Sequence, residues 1–133
     1  MVSKLRKILF LQETNTDLVE NTCKMKEREE LNIVQKDVDQ QQAVMLYFYS
    51  DRCAPCISLR PKVIAMIEEE FPKIDLLFVN AEKHPEIPAH YGVFANPTII
   101  LFIDGREYFR NSKYISENQL SSQIGRLYTL AFD

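Results

Sequence analysis

"YFYSDRCAPCISLRP", residues 47–61, sets Cys53 and Cys56 two residues apart, directly behind an aromatic and aliphatic run. That run, "AVMLYFY" from Ala43 to Tyr49, has the length of a strand and is apolar throughout, as expected of a strand covered on both faces. Behind the cysteines Ile57, Ile64, Ile67 and Phe71 return at helical spacing, and Val63 and Met66 widen the apolar stripe. "EEEFPK" then closes the helix at Pro72. A strand ending near Ser50 and a helix starting near Ala54 put Cys53 at the helix N-terminus. Unpaired N–H groups and the helix dipole stabilise a thiolate there, so the Cys53 pKa is expected below the free value of about 8.5. Arg52 adds a positive charge beside it, and Pro55 suits a first turn where a missing N–H is harmless. Cys56, one turn on, reaches the Cys53 sulfur. The spacing suits attack by Cys53 on a disulfide and resolution of the mixed disulfide by Cys56.

Half a zinc site is the competing reading of such a pair. The further ligands would come from Cys23, His84 and His90, none of which forms a second close pair; the histidines are separated by Pro85 and Pro88. The strand–helix setting favours redox exchange, and no metal site is expected. Cys23 lies in polar sequence and reads as a free thiol, and the two histidines read as surface residues of a short helix.

Outward from this stretch the order of elements is regular. "IDLLFVN" (Ile74 to Asn80) is a second apolar run, and strand, helix and strand in succession imply a right-handed parallel crossover. "TIILFI" (Thr98 to Ile103) and "REYFR" (Arg106 to Arg110) flank Asp104-Gly105, a dipeptide that accepts the positive φ of a two-residue hairpin turn. "SENQLSSQIGRLYTLAF" opens with Ser116 and Gln119 in capping-box spacing, and Leu120, Ile124, Leu127 and Ala131 mark its buried face. Upstream, Leu31, Val34 and Val38 in "REELNIVQKDVDQ" share one face of a helix. The apolar patch Leu5 to Leu11 fits either an extra helix or a short strand. The expected organisation is an N-terminal extension over residues 1–25 and one domain over residues 26–133.

Composition narrows the function classes. The chain has 133 residues, 46% of them hydrophobic, with few glycines and prolines, which is the profile of a packed globular domain. A net charge of -3 without a basic face argues against nucleic-acid or membrane-surface partners. Three cysteines, an odd number, suit a reducing compartment better than a secreted disulfide scaffold. "ILFL" runs at once into polar "QETNTD", too short for a signal sequence, and no apolar run nears the ~20 residues of a membrane span. A cytoplasmic, soluble monomer is the expectation.

In combination these residues resemble the thioredoxin family, without an evident gap from Ala43 to Asp104 and more loosely beyond. "CAPC" resembles Cys-Gly-Pro-Cys, and Pro61 matches the proline of the active-site helix. "YGVFANPTIILFIDG" resembles the stretch in which Tyr-Gly precedes a cis-proline, a strand and a turn glycine. The resemblance implies an α/β thioredoxin fold, a central mixed β-sheet flanked by α-helices. It makes Cys53 the nucleophile, Cys56 the resolving thiol and Pro97 the cis-proline. Arg52, Ala54, Pro55, Asn96 and Pro97 would contact an extended substrate strand. It further implies reduction of disulfide-containing protein substrates, a thioredoxin reductase as electron donor, and the cysteine pair itself in place of a cofactor. Three departures qualify the likeness. Arg52 stands where the family has tryptophan, and alanine replaces glycine at position 54. Tyr47 takes the place of a buried acid that helps move the second cysteine's proton, and Phe78 that of its accompanying lysine. A tyrosine is a poor base near neutral pH, so slower resolution is expected. The same departures leave two alternatives, a thioredoxin-like protein-binding module and a specialised oxidant or isomerase.

Overall fold

In the computed structural model, which describes residues 25–132, five strands form one sheet in the order β1-β3-β2-β4-β5. In chain order the elements are β1 (Met25–Glu27), α1 (Leu31–Gln40), β2 (Ala43–Tyr49), α2 (Ala54–Glu70), β3 (Asp75–Asn80), α3 (Glu86–Tyr91), β4 (Thr98–Ile103), β5 (Arg106–Ser112) and α4 (Glu117–Phe132). β1, β3 and β2 are parallel, whereas β4 runs antiparallel to β2 and β5 antiparallel to β4. The sheet is therefore mixed, with helices on both faces, as expected.

The alternation along each strand decides which face meets which helix. Met45, Tyr47, Leu76, Phe78, Ile99 and Leu101 point to the face covered by α2 and α4, where Val63, Met66, Ile67, Leu120 and Ile124 are buried against them. Val44, Leu46, Phe48, Leu77, Val79, Ile100 and Phe102 point to the other face, under Val34, Val38 and Ile87 of α1 and α3. β2 and β4 are buried almost throughout because both faces are covered, while edge strand β5 is mostly exposed. Asp104 and Gly105, at φ 51° and 81°, make the hairpin turn between β4 and β5. Ser116 Oγ accepts from the Gln119 N–H at 3.3 Å and caps α4.

Two details depart from the sequence reading. Ile57 keeps its helical spacing with Ile64, yet it is 62% exposed. The rest of the expected stripe holds, with Val63, Met66, Ile67 and Phe71 buried and Ile64 partly so, and α2 adds Cys56 and Leu59 to its buried face. β1 is a strand the sequence does not signal: its "MKE" has no apolar alternation, and its pairing of Met25 with Leu76 and Glu27 with Phe78 depends on β3. The patch Leu5 to Leu11 and Cys23 lie outside the described residues. Among the described residues no helix is long and apolar enough to cross a membrane.

Candidate active site

Three chain segments converge at one end of the sheet. β2 ends at Tyr49 and passes through Ser50 to the start of α2, while β4 begins beside it, with Thr98 opposite Phe48. The Cys53 N–H donates to the Ser50 carbonyl at 3.2 Å, closing the loop that turns the strand into the helix. Cys53 is the N-cap of α2, with extended backbone at φ -94° and ψ 99°, and its Sγ accepts from the Cys56 N–H at 3.2 Å. An N–H aimed at sulfur favours the thiolate once the pair is reduced, adding to the field of the helix N-terminus. Cys53 and Cys56 are joined as a disulfide with Cα atoms 5.2 Å apart. They are unequally accessible: Cys56 is 1% exposed, Cys53 only half-buried. Ala54 and Pro55 lie exposed on the first turn between them.

The Asn96–Pro97 peptide bond is cis. Its surroundings are held by Thr98 Oγ1, which donates to the Ala95 carbonyl at 2.6 Å, and by the Lys113 N–H, which donates to the Pro97 carbonyl at 2.8 Å. Pro55, Lys62, Pro97 and Tyr114 border a cleft of about 250 Å³ that brings the first turn of α2 against the proline loop. Tyr114 is 98% and Phe94 93% exposed, two large apolar groups on the segments flanking Pro97. Sequence reasoning missed both, because neither belongs to a periodic pattern.

Behind the pair, Tyr47 is fully buried on β2 and donates its hydroxyl to the Cys56 carbonyl at 2.6 Å. Burial pushes its pKa up to about 12, with the positive charge of Arg60 working against that rise. Tyr47 thus stays protonated at neutral pH and takes no proton from Cys56. Its ring packs edge-on against Phe78 at 5.4 Å between centroids, and the Phe78 ring in turn lies under the Arg60 guanidinium at 3.8 Å. The buried acid and lysine of the family are thus replaced by two aromatic rings with an arginine laid over them.

Arg52, expected at the substrate surface, is 84% exposed at its side chain and paired with Glu82. His90, on α3, contacts Gln35 and packs edge-on against Tyr91, and the His84 N–H donates to the Asn80 carbonyl before α3. Among the described residues no group of three or more histidine, cysteine, aspartate and glutamate side chains is placed to hold a metal ion.

Comparison with known proteins adds independent support. The thioredoxin-like protein YdfQ of Bacillus subtilis is 28% identical over 97 residues, which are 73% of this chain and 86% of that protein. The thioredoxin of Rickettsia bellii is 33% identical over 64 residues, and the matched part of the chain spans only 61% of that protein's length. Among solved structures, the N21Q mutant thioredoxin from Halobacterium salinarum superposes with a TM-score of 0.69 at 21% identity, covering 82% of this chain and 91% of that one. The family model described as Thioredoxin matches residues 21–126. That match takes in β1 to β5 and more than half of α4, and on it the chain belongs to the thioredoxin family.

Proposed function

We propose that the protein is a thiol–disulfide oxidoreductase that reduces protein disulfides, with Cys53 as nucleophile and Cys56 as resolving thiol. The observation that carries this reading is the inequality of the two sulfurs: Cys53 caps α2 half-exposed, whereas Cys56 is buried beneath it. In the dithiol form the Cys53 thiolate attacks a substrate disulfide; one substrate sulfur leaves, and the other is held as a mixed disulfide. Cys56 then attacks Cys53 Sγ, the substrate leaves as a dithiol, and the Cys53–Cys56 disulfide is formed. The backbone at Asn96 and Pro97 is offered to an extended substrate segment running past the disulfide, with Ala54 and Pro55 forming the opposite wall and Arg52 at the rim.

The pair is its own redox centre in this reading, without a bound cofactor. A thioredoxin reductase would return the electrons in the cytoplasm, and the protein would act as a monomer. Insulin-disulfide reduction with dithiothreitol as electron source tests it. The wild-type chain is expected to precipitate the insulin B chain well above the uncatalysed rate, and Cys53→Ser to return it to background. Background rates for both proteins would favour a binding module. Activity that survives Cys53→Ser would assign the nucleophile wrongly.

A further inference from the structure

Cys56 and Arg60 are four residues apart on α2 and so lie on the same face of the helix. Both border a cleft of about 390 Å³, with Tyr49, Ser50 and Asp51 also in its wall. This cleft shares no lining residue with the one at Pro97, so it meets Cys56 apart from the proposed substrate path. Arg60 is fixed there by three contacts from other elements. Its guanidinium lies 3.8 Å over the Phe78 ring of β3 and 5.0 Å over the Tyr49 ring of β2, and it donates to Glu27 of β1 at 3.2 Å. A cation laid on two rings is partly stripped of water, so its field reaches farther than that of a freely solvated lysine.

We propose that Arg60 is a positioning residue for the second half of the exchange, its fixed positive charge favouring the Cys56 thiolate that must attack Cys53. The inference rests on the reductase reading above and supplies by charge what a buried base would supply by accepting a proton. In the step itself the Cys56 S–H proton leaves to solvent and the thiolate attacks Cys53 Sγ, forming the intrachain disulfide. The bond between Cys53 and the substrate breaks, and the departing substrate sulfur keeps the electron pair and takes up a proton. Protons and electrons balance without an added reagent.

The other charged and titratable groups around Cys56 do not supply this. Tyr47 of β2 is held protonated, as its raised pKa shows, and donates to the Cys56 carbonyl. Tyr49 of β2 donates its hydroxyl to Glu27. Asp51, in the loop before α2, is an anion and disfavours a second one, though it is two-thirds exposed and faces Lys83 at 3.7 Å. Cys53, the N-cap of α2, is tied up with substrate at this stage. Glu27 of β1 touches the site through Arg60 and Tyr49, and its negative charge opposes the field of Arg60.

The test is a titration of Cys56 by its 13Cβ shift in a Cys23→Ser, Cys53→Ser background, where it is the last of the three cysteines. Arg60→Gln is expected to raise the midpoint by about one unit, a tenfold smaller thiolate fraction at neutral pH, and Arg60→Lys to restore part of it. Glu27→Gln is expected to move the midpoint the other way, which a purely structural role for the Glu27–Arg60 pair would not do. A midpoint unchanged in Arg60→Gln, or raised by Glu27→Gln as well, overturns the proposal; should Arg60→Gln fail to fold, Glu27→Gln and Arg60→Lys decide alone. No turnover is read, so a chain that reduced no protein disulfide would leave this result standing.

Discussion

Replacing Cys56 with serine, in a Cys23→Ser background, is expected to leave the pre-reduced protein covalently attached to its substrate through Cys53 when it meets insulin in the absence of dithiothreitol. The reason is positional. Cys53 at the helix cap carries the reachable sulfur, and the residue that would release the substrate is the buried Cys56 beneath it, whose backbone N–H already points at Cys53 Sγ. Without Cys56 the mixed disulfide has no intramolecular way out and decays only by attack from external thiol. A non-reducing gel followed by mass spectrometry should show a one-to-one adduct on Cys53 that dithiothreitol removes. Cys53→Ser should form none. An adduct on Cys56 in the Cys53→Ser variant would show that the buried sulfur is accessible to substrate, and the assignment of roles would fail.

Phe78→Ala is expected to lower the stability of the domain by about 3–5 kcal/mol, a large share of the 5–15 kcal/mol typical of a domain this size. Phe78 is 3% exposed and central to the face beneath α2, where it touches the Tyr47 ring and carries the Arg60 guanidinium. Truncation leaves a cavity that the covered strands on either side cannot close, because β3 is paired to β1 and to β2. Urea unfolding should show the midpoint fall by more than about 1 M at unchanged slope. A loss below about 1 kcal/mol would mean that this face tolerates collapse and that the ring stack is not what supports the site.

Much of this arrangement is legible in the sequence, and for identifiable reasons. The apolar run Ala43–Tyr49 is so continuous that it could only be a central strand, and Pro72, Asp104-Gly105 and Ser116 each punctuate the chain through a local backbone preference that tertiary packing does not override. Cys53, Cys56 and Pro97 were found because their meaning lies in spacing and in a family resemblance. What escaped depends on contacts between distant segments. β1 is three residues of unremarkable sequence whose strand character comes from β3. Ile57 has the right period, but which residues at that period meet the sheet is set by the neighbours, and Ile57 is left outside while Val63, Met66 and Ile67 are buried. Arg60 drew no notice in the quoted stretch because its platform comes from Phe78 and Tyr49 and its anchor from Glu27, some thirty residues upstream. The replacement of the family's acid by Tyr47 was visible from sequence; that its hydroxyl would be spent on the Cys56 carbonyl was not.

Whether Cys53 and Cys56 exchange electrons with other thiols or hold a structure together is decided by the reduction potential of the pair. The protein is equilibrated in graded dithiothreitol and glutathione buffers and quenched by thiol alkylation. One reversible two-electron transition is expected, at a potential near the roughly -270 mV of thioredoxin as befits a reductant. A pair that forms no disulfide in any buffer, or one that stays oxidised far below about -300 mV as structural disulfides do, would contradict it.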